Sequence, residues 1–340
     1  MNIRRIILWL HRWAGVLAGL VVLVIAITGA LLVFPEALVR WRFPDLFPQD
    51  SSTERVPVGS MLQQLRENHP EMMVQGIRLP RDGADALTLF SGNRTFHFDP
   101  HTGALLGSRP RADALMQTLI RLHVNLLLGP NGATVVVVAT VITLMLSLTG
   151  LWLWWPLRIF GFRKGANFRR FNLDLHSAAG LYSSLFLLVI GGTGITLKYW
   201  HGEHPRPPMG RMNGQLSSAM INVDDAIRAA ENALPGARAA AVEMPGGNPA
   251  ASYRIQLAFP EDGSPAGRSV VFVQRSTGEV LATHSSRAGS LGDQLQNNQL
   301  SIHTGAIGGL STKIIALLTC VALVLQILSG YVLWWKRKSS

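Results

Sequence analysis

Cysteine is nearly absent from this chain of 340 residues: Cys320 stands alone. A disulfide within the chain is excluded, as is any zinc or iron–sulfur site built on several thiolates. Cys320 lies in an apolar run and reads as a small buried hydrophobe. Charge is scarce too. Only 15% of the residues are Asp, Glu, Lys or Arg, against roughly 25% in ordinary soluble domains. With 48% hydrophobic residues, the composition argues against intrinsic disorder. It also argues against a bare nucleic-acid-binding domain, despite a formal net charge of +11. No Gly-x-Gly-x-x-Gly pattern follows a strand, so a built-in nicotinamide or flavin domain is not expected.

What is present is a set of long apolar runs. Four stretches, 6–34, 133–155, 178–197 and 314–335, approach or exceed the ~20 apolar residues that cross a bilayer. Aromatics gather at their ends: Trp152, Trp154 and Trp155, then Tyr199 and Trp200, then Trp334 and Trp335. The first run follows Arg4 and Arg5 but is too long for a signal peptide and lacks a clean cleavage site, so it reads as an uncleaved helix. The N-terminal end, the short loop 156–175 and the tail carry 11 basic residues against one acidic, Asp174. By the positive-inside rule both termini and that loop face the cytoplasm, while loops 35–132 and 198–313 face outward, into the periplasm of a Gram-negative cell. The charge excess is therefore a topology signal.

The chain also repeats itself. "LHRWAG" opens the first span and "LHSAAG" the third; His11 and His176 each precede a glycine by four residues and a threonine, Thr28 or Thr193, by 17. His123 precedes Thr149–Gly150 by 26 residues and Trp154–Trp155 by 31, and His303 stands at the same distances from Ser329–Gly330 and Trp334–Trp335. Each intervening segment offers one amphipathic helix ("VPVGSMLQQLRENHP", "INVDDAIRAAENALPG"). Strands are expected at 73–79, 86–91 and 93–98, and near 238–244, 252–259 and 269–275, with a Thr–Gly turn closing each set. The expected fold class is a mainly α membrane protein: a four-transmembrane-helix bundle from an internal duplication, with two small α+β periplasmic domains. Its boundaries are a first transmembrane helix at 1–34, a first outer domain at 35–120, and an outer histidine segment with helix 2 at 121–155. A cytoplasmic loop at 156–175, a third helix at 176–199, a second outer domain at 200–300 and a final histidine segment, helix and tail at 301–340 complete it.

The repeat selects four of ten histidines: His11, His176, His123 and His303. Ionisable groups at the edges of a membrane bundle are costly unless they work or are well paired. Two imidazoles per side suit low-spin haem iron, so His11 is expected to pair with His176 at the inner face, and His123 with His303 at the outer. The alternative is four interfacial residues that snorkel to headgroups. "LGPNG" at 128–132 should break the helix after His123, so that this residue rides on a short helix folded back over the bundle. His201 and His204 are rival ligands near the third span, and His69, His97 and His101 read as local or surface residues. Trp13, Trp152, Trp154 and Trp155 fit an interfacial belt, and Arg158, Arg163 and Lys164 follow from the positive-inside pattern.

These motifs together resemble the PepSY-associated transmembrane family of iron-regulated inner-membrane proteins, which includes ferrisiderophore reductases. The likeness covers nearly the whole chain: "LHRWAGVLAG", "LHVNLLLGPNG", "TGLWLWWP", "DLHSAAGLY", "SIHTGAIGG" and "SGYVLWWKRK", with "FHFDPHTGALLG" and "VVFVQRSTGEVLA" similar to the strand-turn ends of PepSY domains. The second of these lacks the fuller Asp-Pro-x-Thr-Gly pattern. The resemblance implies a b-type protein with two haems per chain, ligated by His11, His176, His123 and His303. It also implies an external donor in the cytoplasm or membrane (a reduced flavin, flavoprotein or quinol) and a ferric siderophore or other Fe(III) chelate as periplasmic acceptor. Nucleic acid is not an expected partner, the lipid bilayer is, and oligomeric state is open. A haem-free anchored regulator of a periplasmic partner, such as a peptidase, is the rival from another class. A transporter fits less well, because the spans hold almost no acidic residues.

Overall fold

Apolar runs of this length can satisfy their backbone in lipid only as helices, and in the computed structural model they are helices. The structure describes residues 2–48, 54–81, 85–156, 160–161, 163–199, 221–245, 252–262 and 267–335. In chain order these carry α1 (Ile3–Leu32), α2 (Pro35–Arg42), α3 (Val58–Asn68), β1 (Val74–Arg78), β2 (Leu87–Ser91), β3 (Arg94–Phe98), β4 (Leu105–Pro110), α4 (Ala114–Asn125) and α5 (Gly129–Trp154). Then follow α6 (Phe168–Tyr199), α7 (Val223–Ala233), β5 (Arg238–Glu243), β6 (Ser252–Ala258), β7 (Ser269–Gln274), β8 (Val280–His284), α8 (Leu291–Thr304) and α9 (Gly309–Trp335). Two compact units emerge, one of residues 1–35, 114–201 and 299–340 and one of 36–113 and 202–298.

The first unit is the helix bundle. Four helical stretches, Ile3–Leu32, Gly129–Trp154, Phe168–Tyr199 and Ala306–Trp335, are long and apolar enough to cross a membrane. In the bundle α1 packs on α5 and α9, and α6 packs on the same two. Leucines and valines such as Leu17, Leu20, Val138, Leu185 and Leu318 remain exposed on its surface, as a lipid-facing belt requires. At one end Asp174, fully buried, accepts from Arg163 through both its backbone N–H (3.2 Å) and its guanidinium (3.1 Å), and pairs with Arg170 at 3.5 Å. Asp174 thus ties Arg163 of the loop to α6 and pairs with Arg170 one turn earlier on the same helix.

His123 sits as the sequence implies, on a short helix that doubles back. After α4 the chain reverses through Leu126 (φ 53°), Leu127 (φ 61°) and Gly129 (φ 60°). Two leucines in the left-handed region cost roughly 1–2 kcal/mol each, a cost set against bringing α4 onto α1 and α5. Gly132 completes the reversal, since a Cβ there would lie 1.8 Å from the Asn125 carbonyl oxygen.

The second unit differs from the expected pair of separate domains. Its strands form one eight-stranded antiparallel sheet, ordered β4-β3-β2-β1-β5-β6-β7-β8. The joint is β1 against β5, with Gly76, Ile77 and Arg78 facing Glu243, Val242 and Ala241. The physical reason is the edge: β1 paired only with β2 would leave a row of open N–H and C=O groups. Helices α3 and α7 bury Met61, Leu62, Leu65, Val223, Ala226 and Ala230 with the inward residues of the sheet, among them Phe96, Phe98, Tyr253, Ile255 and Leu257. Strand β6 shows the expected alternation, Tyr253, Ile255 and Leu257 in and their neighbours half-exposed. The two helices also meet through a cap. Pro57 offers α3 no side-chain acceptor, and Asp224 of α7 supplies both carboxylate oxygens instead, to the N–H groups of Val58 (2.9 Å) and Gly59 (2.8 Å). Gly59 is required for that approach, because a Cβ would meet Asn222 Oδ1 at 2.7 Å.

Candidate functional site: two histidine pairs in the bundle

Four histidines converge in two pairs. His11 of α1 and His176 of α6 have ring centres 6.3 Å apart, with planes at 86°. His123 of α4 and His303 of α8 have ring centres 6.1 Å apart, with planes at 59°. The repeat pointed to the same two juxtapositions. His201 and His204, and Arg158 of the loop, lie outside the described residues.

Each ring is gripped by a neighbouring helix in one recurring way. His123 Nδ1 lies 3.0 Å from the Ile25 carbonyl oxygen and 3.2 Å from Thr28 Oγ1 of α1. His303 Nδ1 lies 2.8 Å from the Ile190 carbonyl and 3.4 Å from Thr193 Oγ1 of α6. His176 Nδ1 lies 3.0 Å from the Gln326 carbonyl and 3.3 Å from Ser329 Oγ of α9. His11 Nδ1 meets Thr149 Oγ1 of α5 at 2.9 Å. In every case the residue after the hydroxyl is a glycine, and its Cα faces the ring. A Cβ would approach His123 Cε1 to 3.0 Å from Gly29, His303 Cε1 to 3.0 Å from Gly194, His11 Cε1 to 3.4 Å from Gly150 and His176 Cε1 to 3.5 Å from Gly330.

This arrangement assigns the protons. A carbonyl oxygen can only accept, so Nδ1 of His123, His176 and His303 carries the hydrogen. The hydroxyls of Thr28, Thr149, Thr193 and Ser329 each donate to the carbonyl four residues back, at 2.7–2.8 Å, which leaves their oxygens to accept from the rings. Nδ1–H is therefore tied to the protein, and the lone pair falls on Nε2. No hydrogen bond is made to Nε2 of any of the four rings among the described residues. A ring held through Nδ1–H with a free Nε2 is the arrangement that metal-binding histidines adopt.

The spacing tests the fit to a shared metal. Two imidazoles bound end-on through Nε2 at about 2.0–2.1 Å, each adding about 1.1 Å from nitrogen to ring centre, would have centres about 6.2–6.4 Å apart. Both pairs fall within about 0.1 Å of that interval. The first pair also lines a cavity of 610 Å³, bounded by small and apolar residues such as Gly15, Ala18 and Gly180 and, at its polar rim, by Arg4, Arg12, Arg169 and Arg170. That size lies within the roughly 300–1,000 Å³ of ligand pockets. An apolar slot with cations at one end suits a flat macrocycle carrying carboxylates. The residues fit a haem. A group of three or more metal-ligating His, Cys, Asp or Glu side chains is not found among the described residues, and a bis-imidazole haem site needs only two.

Other sequence-marked residues take structural positions. Trp13 packs edge-on against Trp334 at 6.2 Å. In the second unit His97 is 4% exposed and sits between Thr88 and Arg109, whose Nε donates to its Nε2 at 3.3 Å. The Thr/Ser–Gly pairs were visible in the sequence as repeat landmarks. Their role as ring seats has one signal in the chain: a hydroxyl followed by glycine, four times at matched distances from a histidine.

Four helices of membrane-spanning length and composition, holding two pairs of histidines, define a membrane protein. The family model for the PepSY-associated TM region matches residues 8–337, and the chain belongs to that family. No curated protein matches the chain.

Proposed function

We propose that this protein is a di-haem b-type oxidoreductase of the bacterial inner membrane. It takes electrons from a cytoplasmic or membrane donor, a reduced flavin, flavoprotein or quinol, and delivers them to a periplasmic Fe(III) chelate, a ferric siderophore being the leading example. The observation that carries this reading is the pair of imidazole couples, each with ring centres close to 6 Å apart and each ring tethered through Nδ1. Haem iron held by two imidazoles supplies one-electron exchange without an open coordination position.

The residues divide the work. His11 and His176 hold the inner group, His123 and His303 the outer. Hydroxyls and carbonyls of neighbouring helices orient the rings, and Gly29, Gly150, Gly194 and Gly330 let them lie against the backbone. Arg12 and Arg169 at the cavity rim offer positive charge to carboxylates, and the apolar walls exclude water. The charge bias of the loops supports a topology with both termini and loop 156–175 in the cytoplasm and loops 35–132 and 198–313 in the periplasm. For the acceptor, one electron converts hard, oxygen-bound Fe(III) to Fe(II), for which such ligands have less affinity, and the metal is released. The matched motifs fit an origin by duplication of a span–domain–span unit.

A reduced-minus-oxidised visible spectrum of the full-length protein in detergent, with a haem-to-protein ratio, tests the reading. Sharp low-spin b-type bands at two haems per chain are expected, and His11→Ala and His303→Ala should each remove one. Protein that holds no haem when expressed with ample supply sinks the proposal and favours a haem-free anchored regulator.

A further inference from the structure

The four histidine tethers are not equivalent. Three rings have two acceptors at Nδ1: a backbone carbonyl at 2.8–3.0 Å and a hydroxyl at 3.2–3.4 Å. In each, the carbonyl belongs to the residue three before the hydroxyl: Ile25 before Thr28, Gln326 before Ser329, Ile190 before Thr193. His11 lacks it. Leu146 is the residue at that place before Thr149, and its carbonyl accepts from Thr149 Oγ1 at 3.2 Å without reaching the ring. Among the described residues Thr149 Oγ1, at 2.9 Å, is the sole hydrogen-bond partner of His11.

We infer that Thr149 is a positioning residue of the inner site: its hydroxyl alone fixes the tautomer and ring orientation of His11, and so sets how strongly that imidazole binds ferric iron. This rests on the haem reading above. A backbone carbonyl cannot be mutated away or rotated, so three of the ligands keep their tautomer whatever happens to the hydroxyl. The fourth depends on one side-chain oxygen, itself aligned by donation to the Met145 carbonyl at 2.8 Å. Nδ1–H donation to an acceptor makes the imidazole a better electron donor through Nε2 and favours the ferric state. Its loss lowers the preference for Fe(III) over Fe(II) and raises the midpoint potential of the inner site only.

The test compares isosteric variants of the full-length protein. Thr149→Val keeps shape and removes the hydroxyl; Thr149→Ser restores it; Thr193→Val and Thr28→Val remove hydroxyls where the carbonyl remains. The readouts are haem content, redox titration of the absorption bands, and low-temperature EPR of the oxidised protein. The near-perpendicular rings of the inner pair bring the two iron π-orbitals closer in energy than the 59° arrangement does, so the inner signal is the one with the larger maximum g-value. Thr149→Val is expected to shift that signal and to change the ferric-to-ferrous binding ratio about tenfold, equal to about 59 mV upward for a one-electron couple. Thr149→Ser should stay near wild type, and Thr193→Val and Thr28→Val should move their site less than threefold. Loss of one haem in Thr149→Val with retention in Thr149→Ser carries the same meaning. Equal shifts in Thr149→Val and Thr193→Val, no shift in either, or haem loss in both Thr149 variants overturns the inference. A wild-type protein without haem overturns the function beneath it instead, so the two failures are distinct.

Discussion

Four glycines face four imidazoles, and the distances divide them into two classes. Alanine at Gly29 or Gly194 would put a methyl 3.0 Å from Cε1 of His123 or His303. Carbon atoms settle at about 3.5–4.0 Å, so the ring must retreat by about 0.5 Å. Its Nδ1 is already 3.0 or 2.8 Å from a carbonyl oxygen, and that retreat would stretch the bond to or past the upper limit of about 3.2 Å for N–H···O. Overpacking of this kind costs about 1–3 kcal/mol. At Gly150 and Gly330 the corresponding gaps are 3.4 and 3.5 Å, and an adjustment of about 0.1 Å suffices. A helical glycine replaced by alanine otherwise gains up to about 1 kcal/mol. The net sign therefore differs between classes. On the di-haem proposal, Gly29→Ala and Gly194→Ala should weaken haem retention at the outer pair by about 10-fold or somewhat less, at about 1.4 kcal/mol per decade. Gly150→Ala and Gly330→Ala should leave the inner pair within about threefold and raise the thermal unfolding temperature slightly. The assay is the rate of haem transfer to an excess of an apo-acceptor protein, read beside thermal unfolding. Equal effects at all four positions, or larger ones at Gly150 and Gly330, would refute the contact argument.

Two further predictions concern the second unit. The His97 imidazole is pushed down from its ordinary 6.5 to about 4, by burial first and then by Arg109 and Arg78. The unfolded chain therefore binds a proton that the folded chain refuses between those values, and stability present above pH 6.5 is lost as pH falls toward 4. The loss is about 2–3 kcal/mol. Hydrogen exchange of peptides covering β2–β4, corrected for intrinsic rates, should show that decline in wild type and a flatter profile in His97→Gln; identical profiles would refute it. Asp224→Ala strips the acceptors from the first two N–H groups of α3 and should destabilise this unit by about 1–2 kcal/mol, with Asp224→Asn losing about half as much, read by urea unfolding of the full chain. No difference between wild type and Asp224→Ala would show that water replaces the cap.

Much of the bundle was legible because membrane helices announce themselves by composition, and the repeat turned ten histidines into four. Local strand signals were equally clear: 86–91 and 93–98 were expected where Leu87–Ser91 and Arg94–Phe98 are found. The joining of β1 to β5 was not legible. Register between strands so far apart in the chain is set by complementary edges and a shared core, and neither leaves a local pattern in the chain. The hydroxyl–glycine grips were half legible. Thr28, Thr149, Thr193 and Ser329 carried the repeat, but a hydroxyl that bonds its own helix looks the same in sequence whether or not a ring also rests on it. The missing carbonyl at His11 has no sequence signal, since Leu146 stands three residues before Thr149 just as Ile25, Ile190 and Gln326 stand before their hydroxyls.

The β1–β5 joint has a consequence for how the protein is made. Arg78 ends β1 and Arg238 begins β5, so about 160 residues, two spans among them, must be synthesised before the strand that closes the central edge appears. At roughly 5–20 residues per second the first four strands wait on the order of ten seconds or longer with β1 unpaired along one side. During that interval the half-sheet is a sticky nascent species, open to strand addition by any neighbouring chain. Assembly of this protein is thus a race between translation and capture, and a pause between α4 and α7 would lengthen the exposed stage.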